Sequence, residues 1–263
     1  MESDERAPLL LTWTIIQSST QDALACATVI AANLFERLAY FSIAGNLVFF
    51  LTKEPLCWSI TLATVTILVL MAIASCMGLL SGWLSDSYLG RYLTIVAGYI
   101  IYIFGYSVFL CVPYYSQNLA TSENVTESYT LCNATRLKNE TPLFCVENDT
   151  NPMVCAESEP ANFLTMLYVG VILVGIGAGT VHTNLASFGG DQARSGGIRS
   201  THRFFTGYYW SLNLGAILAL VGVAIIQNLS FFHGFIVAGF SLVVSFLLFT
   251  MGESTELRHS IES

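Results

Sequence analysis

Six apolar stretches, each about 20 residues long and closed off by polar residues, constrain this chain more than any other feature. They run from Ala23 to Leu51, Ile60 to Leu84, Tyr92 to Val112, Phe163 to Ser187, Phe204 to Asn228 and Gly234 to Met251. A helix of that length crosses the roughly 30 Å hydrocarbon core of a bilayer. Hydrophobicity along the stretches does not alternate with period two, as the strands of a membrane barrel would require. The expectation is an all-α membrane protein with six transmembrane helices. Only 11% of residues are charged, against about 25% in soluble domains. The net charge of -8 excludes the basic face that nucleic acid requires. The opening "MESDERAPLL" is acidic and leads into no signal-like core, so the first span is expected to serve as the insertion signal too. Residues 1–22 read as a cytosolic tail, 23–251 as the helical bundle, and 252–263 as a cytosolic tail or the start of an interdomain linker.

Two signals orient the bundle. With the N-terminus in the cytosol, Arg6, Arg91, Arg194, Arg199, Arg203 and Arg258 fall on the cytosolic side. Lys53, Arg136 and Lys138 lie opposite, the last two in a long loop where the positive-inside rule has little weight. That loop, 113–161, holds glycosylation sequons at Asn124, Asn133, Asn139 and Asn148, which places it on the luminal or extracellular side. Pro142 makes Asn139 a poor acceptor, and "NLS" at Asn228 lies too close to a helix end. Cys132, Cys145 and Cys155 share the loop, with Cys57 and Cys111 near the same face. At least one disulfide is expected there, its pairing open. Cys26 and Cys76 read as small buried apolar residues, and no metal-ligand spacing occurs.

The turn after the second span, "GWLSDSYLGR", spaces Gly82, Asp86, Gly90 and Arg91 as G-x3-D-x3-G-R. Glycines let two helix ends approach within a short turn, and the charges pair or cap those ends. The pattern resembles the loop signature of the major facilitator superfamily, in which each six-helix half is a 3+3 inverted repeat. "ERLAYF" in span one, "SFGGDQ" after span four and "YYWSLNLGAIL" in span five narrow the resemblance. They are similar to the proton-coupled oligopeptide transporter (POT/PTR) family, and within it to the lysosomal peptide/histidine branch. The chain would then be one half of a facilitator fold. "ERAPLL" fits an acidic dileucine address, with Glu5 ahead of Leu9 and Leu10, of the kind read by cytosolic sorting adaptors. "GIGAGT", Gly175 to Thr180, could pass for a nucleotide-binding loop, but it lies within a span, where glycines serve close helix packing.

Within span one, Asn33, Glu36, Arg37, Tyr40 and Ala44 fall inside an arc of about 100° on a helix. Glu36 and Arg37 are sequence neighbours and do not stack as an i,i+4 pair would, so each needs partners elsewhere. A charge at mid-membrane costs about 2.5–3.5 kcal/mol on insertion scales. A fold-specifying network would account for the charges, but a water-filled cavity is the better reading. Span four offers His182 to that cavity, and span five offers Tyr209 and Asn213, four residues apart on one face. The family carries E-x-x-E-R in span one and a lysine in span four, and here those positions hold Asn33 and His182. One negative and one positive charge are lost together, which preserves the intramembrane balance. Histidine, with an ordinary pKa of about 6.5, would titrate in an acidic organelle.

The function this implies is the N-terminal half of a proton-coupled symporter. It would move di- and tripeptides, histidine, or both across the endolysosomal membrane to the cytosol, with the proton as coupling ion and no other cofactor. Glu36, Arg37 and His182 would couple protons and gate; Tyr40, His182, Tyr209 and Asn213 would meet substrate. The expected partners are membrane lipid, substrate, sorting adaptors and a C-terminal half, either in a chain continuing past Ser263 or supplied separately. The alternative is a non-transporting or truncated membrane protein acting as a receptor or adaptor platform. No nucleophile–base pair or metal cluster is spaced for enzymatic chemistry.

Overall fold

The computed structural model describes the backbone over residues 6–53, 58–122, 144–148, 151–156 and 161–262, and side chains over 23–53, 58–114 and 163–252. Helix α1 is Arg6–Thr52. Helix α2, Ile60–Leu84, runs on through a π-helical turn, Ser85–Leu89. Helix α3 is Arg91–Ser122, and strands β1, Phe144–Asn148, and β2, Asn151–Ala156, follow it. Helix α4 is Ala161–Arg194. Helix α5, Gly197–Ile217, passes through a π-helical stretch, Leu218–Val223, and ends as Ala224–Leu229. Helix α6 is Phe231–Glu262.

Among the described residues, six helices are long and apolar enough to cross a membrane: Ala23–Thr52, Ile60–Leu89, Arg91–Tyr114, Phe163–Arg194, Gly197–Leu229 and Phe231–Gly252. All six overlap the apolar stretches, and the fold is the expected all-α bundle. The differences lie at the ends. Helix α1 starts at Arg6, inside the expected tail. Pro113 was expected to open the long loop, but helix α3 carries it and continues to Ser122. Proline removes one backbone donor, and a helix with turns on both sides tolerates that loss. The loop itself contains an antiparallel hairpin of β1 and β2 that sets Cys145 opposite Cys155. Cys57 and Cys132 lie outside the described residues.

The core runs between α1, α3, α4 and α6, with Leu47, Ile95, Tyr99, Leu167, Val174, Ala178 and Phe235 fully or almost fully enclosed. Helices α2 and α5 turn apolar faces outward, including Leu68, Leu79, Trp83, Trp210, Leu214 and Val221. Cys76 shares the outward face of α2 and is exposed, whereas Cys26 is buried as expected. An apolar cysteine is as well accommodated by lipid as by protein, so composition alone could not separate the two.

The glycines of "GIGAGT" serve two interfaces. A Cβ on Gly175 would sit 2.9 Å from Ile73 of α2, and one on Gly179 would strike the Ala74 carbonyl. One on Gly177 would strike Tyr102 of α3, coming 2.5 Å from its Cα. Helix α4 is therefore wedged between α2 and α3 at backbone distance, which the small residues permit.

Candidate functional site

The polar stripe of α1 points into the protein. Asn33 and Glu36 are fully buried, Tyr40 and Ala44 nearly so, and Arg37 is half-buried. Gly215 of α5 lets that helix close on α1 here, since a Cβ would lie 2.7 Å from the Leu34 carbonyl oxygen. Across the contact, Asn33 Nδ2 donates to Ser211 Oγ at 2.7 Å and to the Tyr208 carbonyl at 3.3 Å. Its Oδ1 accepts from Arg37 Nε at 3.4 Å. Asn33 thus uses both ends of its amide, donating to α5 and holding Arg37.

His182 of α4 stands between the two charges. Its Nε2 is 2.6 Å from Glu36 Oε1, and its Nδ1 is 3.1 Å from Arg37 Nη1. Guanidinium nitrogens only donate, so Nδ1 must accept and the single ring proton sits on Nε2, donated to Glu36. Arg37 Nε also approaches Glu36 Oε2 at 3.5 Å. Tyr40 packs edge-on against the imidazole with ring centroids 4.8 Å apart. The neighbours in sequence share one partner on another helix, His182 of α4, besides the contacts that Arg37 makes within α1.

Glu36, Arg37, Tyr40 and His182 form one cluster. Tyr209 and Asn213 do not enter it: Tyr209 is exposed, and Asn213 Nδ2 donates to the Tyr209 carbonyl at 2.8 Å. The α5 residues that reach the stripe are Tyr208 and Ser211. The signal for them was the spacing of Tyr208, Ser211 and Gly215, which share one buried face of α5.

At the other candidate site, Arg91 Nε pairs with Asp86 Oδ1 at 3.2 Å, and Gly90 has φ 75°, a turn conformation that glycine adopts without strain. Arg91 also pairs with Asp191 and donates to the Ser187 carbonyl at 3.3 Å. The spaced motif therefore closes onto the end of α4. Asp191, within "SFGGDQ", is the partner that local spacing did not reveal. Gly82 faces the Thr183 methyl, 3.5 Å from where its Cβ would be. Glu5, Asn124, Asn133 and Asn139 lie outside the described residues; Leu9, Leu10 and Asn148 lie on described backbone whose side chains are outside them.

A family model described as the POT family matches residues 92–260, more than half of the chain. The chain belongs to the POT family. It is 32% identical over 227 residues to solute carrier family 15 member 3 of Mus musculus, covering 86% of this chain and 36% of that protein. Among solved structures, an auto-inhibited POT family peptide transporter matches with a TM-score of 0.63 and 20% identity, covering 88% of this chain and 37% of that one. A peptide transporter POT variant in complex with alafosfalin matches with a TM-score of 0.64 and 19% identity, covering 87% and 38%. The likeness to these two solved structures shows the fold: the six-helix bundle superposes on just over a third of each chain. The chain spans just over a third of the length of the relatives it matches.

Proposed function

We propose that this POT family bundle is the N-terminal half of a proton-coupled symporter carrying di- and tripeptides, histidine, or both from the endolysosomal lumen to the cytosol. The observation that carries the reading is the Glu36–His182–Arg37 triad, its carboxylate buried and its two bases half-buried, joining α1 to α4. Intramembrane charges are costly and mark transport pathways or proton relays. This triad also has a proton-dependent joint. A second proton on His182 would set Nδ1–H against Arg37, two donors facing each other. Protonation therefore releases Arg37 from His182 while strengthening the ring's bond to Glu36. The imidazolium and the freed guanidinium then offer two positive groups to a substrate carboxylate. Tyr40 backs the ring, and Tyr209 and Asn213 on the outward part of α5 are suited to a peptide amine or carbonyl. The outward apolar faces of α2 and α5 fit cover by lipid and by a second six-helix half.

The test is uptake of labelled histidine and a dipeptide into proteoliposomes containing the full-length gene product, with the luminal face acidic. Uptake should collapse when the gradient is dissipated; no uptake across a broad substrate panel would overturn the reading. His182→Gln keeps a neutral hydrogen-bonding side chain but cannot gain the proton. Its uptake should lose the steep dependence on pH that an imidazole confers between about pH 5 and 8. The address is tested separately: Leu9→Ala/Leu10→Ala should move the protein from endolysosomes to the plasma membrane, by loss of adaptor recognition.

A further inference from the structure

Helix α3 carries three enclosed tyrosines on one face, Tyr99, Tyr102 and Tyr106. The first is closed: its hydroxyl lies 2.7 Å from Ser245 Oγ, which in turn lies 2.6 Å from the Ala32 carbonyl. The next two are not. The hydroxyls of Tyr102 and Tyr106 are buried without a hydrogen-bond partner, and so is Glu36 Oε2, approached by Arg37 Nε at 3.5 Å. The hydroxyl of Tyr208, on α5 beside Arg37, is buried in the same condition. Tyr102 lies within electrostatic reach of both Glu36 and Tyr106, and its ring centroid is 6.5 Å from that of Tyr106.

A buried oxygen left dry bears its full desolvation cost, so buried polar atoms are paired with protein or with bound water. Tyr99 and Ser245 show that protein partners exist along this face, so the orphans do not reflect a general shortage. A carboxylate oxygen only accepts, whereas a tyrosine hydroxyl donates and accepts. Water can donate to Glu36 Oε2 and join the Tyr102 and Tyr106 hydroxyls, with the two to four polar partners a buried water requires.

We propose that Glu36 Oε2, Tyr102 and Tyr106 hold bound water, as the neutral molecule or carrying an excess proton. The file leads from the charged triad along α3 toward the end of the bundle opposite Arg91. The groups facing it are Arg37 and Tyr40 from α1, His182 from α4 and Tyr208 from α5, while Ser245 of α6 faces the neighbouring Tyr99. Water at these atoms gives the buried carboxylate a route for proton exchange distinct from its contact with His182. This inference rests on the orphan atoms rather than on the transport reading, and its test needs no uptake.

The experiment is infrared difference spectroscopy of the chain in lipid nanodiscs across a pH step, in ordinary and in 18O-labelled water. Bound-water O–H bands that shift with 18O should be present in the parent chain. They should be lost in Tyr102→Phe, diminished in Tyr106→Phe, and kept in Tyr99→Phe. Thermal unfolding gives an independent sign. Removing a hydroxyl that binds water lowers the Tm, whereas removing one in a dry cavity raises it. Bands unchanged in both Tyr102→Phe and Tyr106→Phe, with raised Tm values, would overturn the proposal. Were Tyr102→Phe to misfold, Tyr106→Phe, which leaves the triad's immediate surroundings intact, decides the matter alone.

Discussion

Asn33 shows how much one amide can organise. It donates to Ser211 and to the Tyr208 carbonyl on α5 and accepts from Arg37. Asn33→Leu fills the space but removes all three bonds. Ser211 keeps its own bond to the Tyr208 carbonyl and Arg37 its contacts with His182 and Glu36, so the loss is that of ordinary hydrogen bonds, about 0.5–1.5 kcal/mol each. The expected result is a clear fall in the detergent-solubilised Tm. Glu36 and Arg37 behave as a unit. Glu36→Gln alone strands a half-buried guanidinium, and breaking a buried pair costs about 3–5 kcal/mol. Glu36→Gln/Arg37→Gln removes both charges and should be the more stable of the two variants, a non-additivity that paired melting curves would reveal. Equal melting of the two would mean that Arg37 is already well solvated.

Among the elements, the wedge of α4 between α2 and α3 fixes where His182 stands. Gly177→Ala brings a methyl against the backbone of Tyr102, which cannot move aside without shifting α3. Gly175→Ala meets the Ile73 side chain at 2.9 Å and the Leu70 carbonyl only at 3.2 Å, a milder backbone approach than at Gly177. The first should destabilise by about 1–3 kcal/mol and the second by less, a ranking that thermal unfolding checks. The Arg91 cluster joins α3 to the end of α4, but its groups are largely exposed, and exposed ion pairs are worth about 0–1 kcal/mol. Arg91→Ala should therefore leave the Tm nearly unchanged. Any effect belongs to the transport rate of the full-length product, where closure of this end would be slowed or destabilised.

The bundle as a whole is unevenly enclosed. A core lies between α1, α3, α4 and α6, and although α3 and α6 also turn apolar residues such as Phe104 and Phe240 outward, α2 and α5 are the least enclosed of the spans among the described residues. The polar cluster is enclosed within the half, but the exposed Tyr209 and half-buried Asn213 are not. On the proposed function, the six-helix chain reconstituted alone is expected to insert and fold but to give no gradient-driven accumulation, whereas a chain that also carries the second six-helix half accumulates substrate. Proteoliposome uptake with each compares them directly, and accumulation by the lone bundle would refute this division of labour.

The number and type of helices followed from sequence because a membrane leaves the backbone few alternatives: each span must satisfy its own donors and acceptors. The inward direction of the Asn33–Tyr40 stripe was legible for the same reason, since charges avoid lipid. Local sequence was silent where two segments far apart had to meet. It did not reveal that Tyr208 and Ser211 of α5 meet Asn33. It paired Arg91 with Asp86 but left out Asp191, and it could not tell that Cys76 faces outward. Above all, tertiary structure set His182 between Glu36 and Arg37. Which ring nitrogen carries the proton there depends on distances between helices α1 and α4, and no spacing within either helix encodes them.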